Sequence, residues 1–147
     1  MDVFSRTFLP AASESGLTPA TVNRHLPIFR SCVDPDDPTV LVTRCLRPDH
    51  HMTGEYLLLL TSRRLVVTRE TRVLHRLRLH LNANVRHLSS VTWAPDTRES
   101  AVEVSATAVD GVRERFKMRI ADPAQVWHFD ELLRNVFRSH RRSVLTA

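Results

Sequence analysis

The sequence predicts a mainly β chain of the α+β kind. It has seven antiparallel strands, closed as a barrel or folded as two packed sheets, with a C-terminal capping helix and an N-terminal helical extension. Three observations carry this. Residues 76–81 alternate strictly between polar and apolar, which gives a strand one wet and one buried face. Asp110-Gly111 separates two further alternating runs, and an Asp-Gly pair accepts the positive φ of a hairpin turn. Beyond Asp122-Pro123, Val126, Phe129, Leu133, Val136 and Phe137 recur at helical spacing.

In chain order, residues 1–16 mix Ser, Pro, Ala and charge without a period and are expected to be loose. Thr18-Pro19 signals a helix start, a capping hydroxyl followed by a residue that needs no N–H there, and Leu17 can staple the entry. Val22, Leu26, Phe29 and Val33 draw one apolar stripe, and Pro27 within it is expected to kink or divide the helix. Two prolines and three acids in residues 34–38 stop it.

Residues 39–46 read as the first strand, with Val40, Val42 and Cys45, and a polar loop follows over 47–54. Residues 55–61, with Tyr56 and four consecutive leucines, and residues 65–68 form a hairpin about Ser62-Arg63. In the next strand Leu77, Leu79 and Leu81 are expected to face the core and Arg76, Arg78 and His80 the water. A short strand within 85–93 ends at Ala94-Pro95-Asp96. Val102, Val104 and Ala106 oppose Glu103, Ser105 and Thr107, and Phe116, Met118 and Ile120 oppose Arg115, Lys117 and Arg119. The last helix opens at Asp122-Pro123 and is expected to run to residue 139, with Trp127, Phe129 and Phe137 in the core and a basic tail fraying beyond. So small an antiparallel sheet curls to hide its edges, and the apolar face of the last helix covers an open end.

The 147 residues suit a chain divided into a loose N-terminus with a kinked amphipathic helix, 1–37, and a barrel with its helix and tail, 38–147. The apolar runs are too short for a membrane-spanning helix, and the first residues lack the pattern of a secretory signal. A cytoplasmic chain, or one peripheral to the inner face of the membrane, is the expectation. Cys32 and Cys45 are expected as reduced core residues. The net charge is +5, and 20 of the 21 basic side chains are Arg. Residues 1–62 carry five Arg against seven acids, residues 63–92 seven Arg against one, and residues 133–147 four Arg and no acid. The basicity is therefore local.

Gly54-Glu55-Tyr56-Leu57-Leu58-Leu59-Leu60-Thr61-Ser62-Arg63-Arg64-Leu65-Val66-Val67-Thr68 resembles the second and third strands of bacterial pleckstrin-homology-like domains and of the related GRAM domains. There a Gly precedes an apolar strand and a T-x-x-R-L hairpin leads into the third. Residues 87–91, His-Leu-Ser-Ser-Val, resemble the fifth strand of those families, and the resemblance extends over residues 38–140. It implies a non-catalytic scaffold that binds phospholipid headgroups, peptides or proteins. The lipid-binding members grip phosphates from the first two strands and the loop between them. Here that stretch offers Arg44, Arg47, His50 and His51, with Asp49 and Glu55 interspersed.

The residues themselves offer a second candidate, a basic row of Arg72, Arg76, Arg78 and His80 joined by Arg63, Arg64, Arg69 and Arg86, which suits an anionic partner. Its bland counterpart is a solvated strand face in an Arg-biased composition. The row lacks the interleaved aromatics of nucleic-acid binders, so a protein partner ranks first, an anionic membrane second and nucleic acid below both. Arg134, Arg138, Arg141 and Arg142 suit the end of a helix without any ligand. Asp49-His50-His51 matches a three-letter signature of metal-dependent phosphoesterases, but such a site needs further ligands on an α/β fold, so a solvated loop is the better reading. No nucleophile elbow, zinc helix, P-loop or Rossmann motif occurs. The expectation is a non-enzymatic adaptor without metal or cofactor.

Overall fold

Two helices precede the sheet in this computed structural model, which describes residues 1–50, 54–71, 74 and 76–145, with side chains as far as residue 138. The first helix, α1 (Val3–Glu14), is capped by Asp2, whose Oδ1 accepts the Ser5 N–H at 2.8 Å. It buries Phe4, Phe8 and Ala12, one side chain per turn, on a single face. The expectation of a loose N-terminus is thus corrected. So thin a stripe hides among polar neighbours, and tertiary packing makes the helix. The second helix, α2 (Pro19–Cys32), starts as its sequence signals, with the Thr18 hydroxyl accepting the Thr21 N–H at 3.2 Å and Pro19 at the first position. It is one helix through Pro27. Pro27 and Asn23, the residue four before it, are both exposed, so water can serve the carbonyl that loses its partner.

The strands are β1 (Thr39–Leu46), β2 (Glu55–Thr61), β3 (Arg64–Glu70), β4 (Leu77–Asn84), β5 (Ser89–Asp96), β6 (Ala101–Thr107) and β7 (Arg113–Arg119). They form one antiparallel sheet in the order β4-β3-β2-β1-β7-β6-β5. The sheet is open, since β4 and β5 are its end strands and do not pair with each other. It curls instead of closing: inward side chains such as Leu58, Val67, Val91, Val104 and Met118 from across the sheet meet in one core. β5 runs through Pro95 where a stop was expected, because an end strand can spare the missing N–H on its outer side.

The last helix, α3 (Gln125–Leu145), seals this core with Val126, Phe129, Leu133 and Phe137. Asp122 does cap the entry, its Oδ1 accepting the Ala124 N–H at 3.0 Å, but regular helix begins at Gln125. The helix continues past the predicted end, to Leu145. Trp127 is exposed, not core, because it lies about 100° around the helix from Val126. Trp93 anchors the helix instead, donating its indole N–H to Asp130 Oδ1 at 2.8 Å and lying beside Phe137. Cys32 and Cys45 are free thiols, and Cys45 lies in the core, where burial pushes its pKa far up.

A second core lies on the outer face of the sheet. The leucines of β2 alternate: Leu58 and Leu60 point inward, while Leu57 and Leu59 point outward beneath the helices with Val42 and Val66. Phe4, Phe8, Val22 and Phe29 cover them, with α1 against β1 and α2 against β3 and β4. The amphipathic extension therefore packs on its own sheet. Each aliphatic side chain so buried is worth about 1.5–3 kcal/mol. Polar ties set the docking. Thr39 N–H donates to Thr7 Oγ1 at 2.8 Å, and His25 Nδ1 lies 2.7 Å from Thr68 Oγ1. Arg24 forks onto Glu70 at 2.8 and 3.2 Å. At the entry to β2, Gly54 has φ +105°, and a Cβ there would stand 2.4 Å from the Glu70 carbonyl oxygen, so the close approach of β2 to the end of β3 requires glycine.

Candidate functional site

Antiparallel pairing brings the loops together at one end. Glu55 at the start of β2 faces Glu70 at the end of β3, so the β1–β2 and β3–β4 loops are neighbours. The β6–β7 loop joins them, because Arg115 at its base donates to Asp49 at 2.8 Å and Glu114 meets Arg47. This end is the mouth of the curled sheet.

A bulge in β4 decides what lines it. Val67 pairs with Leu81 and Thr68 with Leu79, leaving His80 as an extra residue. Its imidazole turns inward, with ring centroids 5.6 Å from Tyr56 and 6.0 Å from Phe116. The prediction that His80 lies on a wet outer face is thereby corrected: it points to the inner side, the side of Arg78. The prediction that Leu77, Leu79 and Leu81 share a buried face is corrected too, since Leu79 is paired with outward-facing Thr68 and is exposed. An unbroken alternation cannot announce a bulge, which shifts the face by one residue.

Around His80 stands a charged cluster. The Arg47 guanidinium lies 5.8 Å from the Tyr56 ring centroid, within cation–π range, and its Nη2 donates to Glu114 Oε2 at 3.4 Å. The same oxygen is 3.3 Å from His80 Nε2. Arg69 is paired with Tyr56 on one side and Arg78 on the other, and its outward neighbours Thr68 and Glu70 place it on the inner side. Arg76 and Arg78 are exposed at the rim, and neither forms an ion pair among the described residues. Glu70 is turned outward onto Arg24, and Asp49 is held by Arg115. Apolar side chains stand at the loop tips: Leu74 is 65%, Val109 81% and Val112 50% exposed. The arrangement holds cations in an apolar surround, with Glu114 the carboxylate that reaches them among the described residues.

The predicted row is not continuous. Arg63 and Arg64 lie at the other end of β3, about 16 Å along the strand from Arg69. Arg63 is engaged by Asp34 at 3.5 Å and Asp36 at 3.2 Å, and Arg64 donates to Asn82 at 3.4 Å. Arg44 points outward from β1 and is exposed, as is His50 in the loop beyond. Arg72 and His51 lie outside the described residues. Thus Arg47 from one predicted set and Arg76, Arg78 and His80 from the other meet at the mouth. Sequence reasoning missed Glu114 and Tyr56. Glu114 falls in phase with Phe116, Met118 and Ile120, and a lone carboxylate on that apolar face was the one signal in the sequence, but its partners come from segments far away along the chain.

No family model and no curated protein match the chain. Among solved structures it is similar to the complex of PDZ-RhoGEF DH/PH domains with GTP-γ-S-activated RhoA. That similarity covers 92% of this chain and 41% of the other, with a TM-score of 0.56 and 12% identity. It is also similar to a pleckstrin homology domain from Shewanella amazonensis SB2B over 81% of this chain and 96% of the other, with a TM-score of 0.47 and 14% identity. The chain spans about 41% of the first of these matched chains. The fold is pleckstrin-homology-like, an open seven-strand sheet sealed by a C-terminal helix and preceded here by two helices.

Proposed function

We propose that the chain is a non-enzymatic interaction module that docks on an anionic phospholipid surface through its mouth, at the cytoplasmic face of a membrane. A scaffold of the pleckstrin-homology kind supports an interaction module in general. One observation carries the finer reading: exposed apolar loop tips, Arg47 from the β1–β2 loop and arginines of β3 and β4 occupy the same end. Leu74, Val109 and Val112 fill no core and can enter a headgroup layer, each gaining about 1–2 kcal/mol. Arg76 and Arg78 add about 1 kcal/mol apiece beside an anionic bilayer. A protein gripping one long basic row is less favoured, because the row is divided between the two ends of β3.

Sedimentation with phosphatidylserine-rich and with purely zwitterionic vesicles, at low and high salt, tests this. Binding is expected only to the anionic vesicles and is expected to weaken with salt. Arg76→Glu with Arg78→Glu should cost at least about tenfold. Val109→Ser with Val112→Ser should cost about thirtyfold or more at every salt concentration. Failure of the wild-type chain to bind anionic vesicles would reject the membrane and leave a protein as the partner to seek.

A further inference from the structure

We propose that Glu114 is an internal competitor for the mouth, a carboxylate that holds the place of an anionic lipid headgroup and is displaced when the headgroup arrives. The inference rests on the docking reading above and names its regulation. One oxygen, Oε2, serves both Arg47 at 3.4 Å and His80 at 3.3 Å. Strong charge-assisted bonds measure about 2.7–2.9 Å, so both contacts are loose. The side chain is only 12% exposed, which leaves the carboxylate with little water in exchange. It is thus a weakly held anion at the centre of a basic cluster.

Of the neighbouring acids, Glu55 is exposed on the outward side of β2, in phase with Leu57 and Leu59, and the others are engaged elsewhere. Asp49 is bonded by Arg115, Glu70 by Arg24, and Asp110 accepts the Val112 N–H at 2.9 Å. A headgroup therefore has one loosely bonded carboxylate to replace. On the rim, Arg76 and Arg78 make the first electrostatic contact, and Arg47 becomes available as Glu114 swings away. Sparse surface charge leaves Glu114 in place, whereas dense charge displaces it, so docking rises steeply with anionic lipid content.

Glu114→Gln tests this in the full chain, because the amide keeps the shape and removes the charge. On phosphatidylserine vesicles it should bind about fivefold more tightly, the equivalent of about 1 kcal/mol for one unit of charge. Glu131→Gln makes the same change in net charge at an exposed position on α3 and should leave binding unchanged. Adding Arg47→Gln to Glu114→Gln should abolish the gain, since Arg47 is the cation released. Thermal melting reports whether the variants fold; if the amide variant does not, Glu114→Asp, which shortens the reach, should give a smaller gain. Equal binding by Glu114→Gln, Glu131→Gln and wild type overturns the competitor and leaves docking intact. Binding by neither wild type nor Glu114→Gln overturns both. Arg47-dependent binding by Glu114→Gln alone makes Glu114 a block that the headgroup does not displace, which overturns both the exchange and docking by the native mouth.

Discussion

His25 sits on the buried face of α2 with its ring against Phe29 and its Nδ1 on Thr68, nearly out of reach of water. Burial is the main cause holding its pKa below the ordinary histidine value. The nearby Glu70 and Glu55 carboxylates oppose that shift, and Arg24 and Arg44 reinforce it. The folded chain thus keeps His25 neutral where the unfolded chain takes up a proton. Stability from this site is full above about pH 6.5 and is lost as pH falls below that value. Urea unfolding at pH 7 and pH 5 should show a larger loss for the wild type than for His25→Gln, and equal losses would remove His25 as the cause. Neither the role of His25 nor that of Glu114 is readable along the chain. A histidine at helical spacing and a glutamate in an alternating strand acquire meaning from Thr68, Arg47 and His80, which other strands supply.

Among the elements, α1 shows how little signal an amphipathic helix needs when a ready surface awaits it. Phe8 is fully buried between Phe4 and Phe29, with ring centroids 5.3 and 5.8 Å away. Phe8→Ala should cost about 3–5 kcal/mol in denaturant unfolding. Leu9→Ala, one position around the helix and exposed, should cost less than about 1 kcal/mol. Similar small costs for both would mean that α1 does not hold the sheet. The bulge in β4 is the opposite case. The alternation there is the clearest in the sequence, and it still misassigns His80 and Leu79, because register answers to the partner strand and not to the strand's own pattern.

At the scale of the molecule, β2 belongs to two cores at once, with Leu58 and Leu60 beneath α3 and its neighbours and Leu57 and Leu59 beneath α1 and α2. Removing residues 1–33 would uncover Val42, Leu57, Leu59 and Val66 as one apolar face. The shortened chain should self-associate in light scattering where the full chain does not. A monodisperse, folded product would show the helices to be accessory. The strand count, the hairpins, the capping helix and the pleckstrin-homology-like outline were all determined by the sequence alone. Polar–apolar alternation, turn residues and caps act over a few residues and are written where they act. Only the tertiary structure decided that the first sixteen residues are ordered, that the extension packs on its own sheet and that the basic row is split. It alone joined Arg47, His80 and Glu114 at one mouth. Those outcomes depend on strand register, curvature and the docking of helices, which bring together residues scattered along the chain.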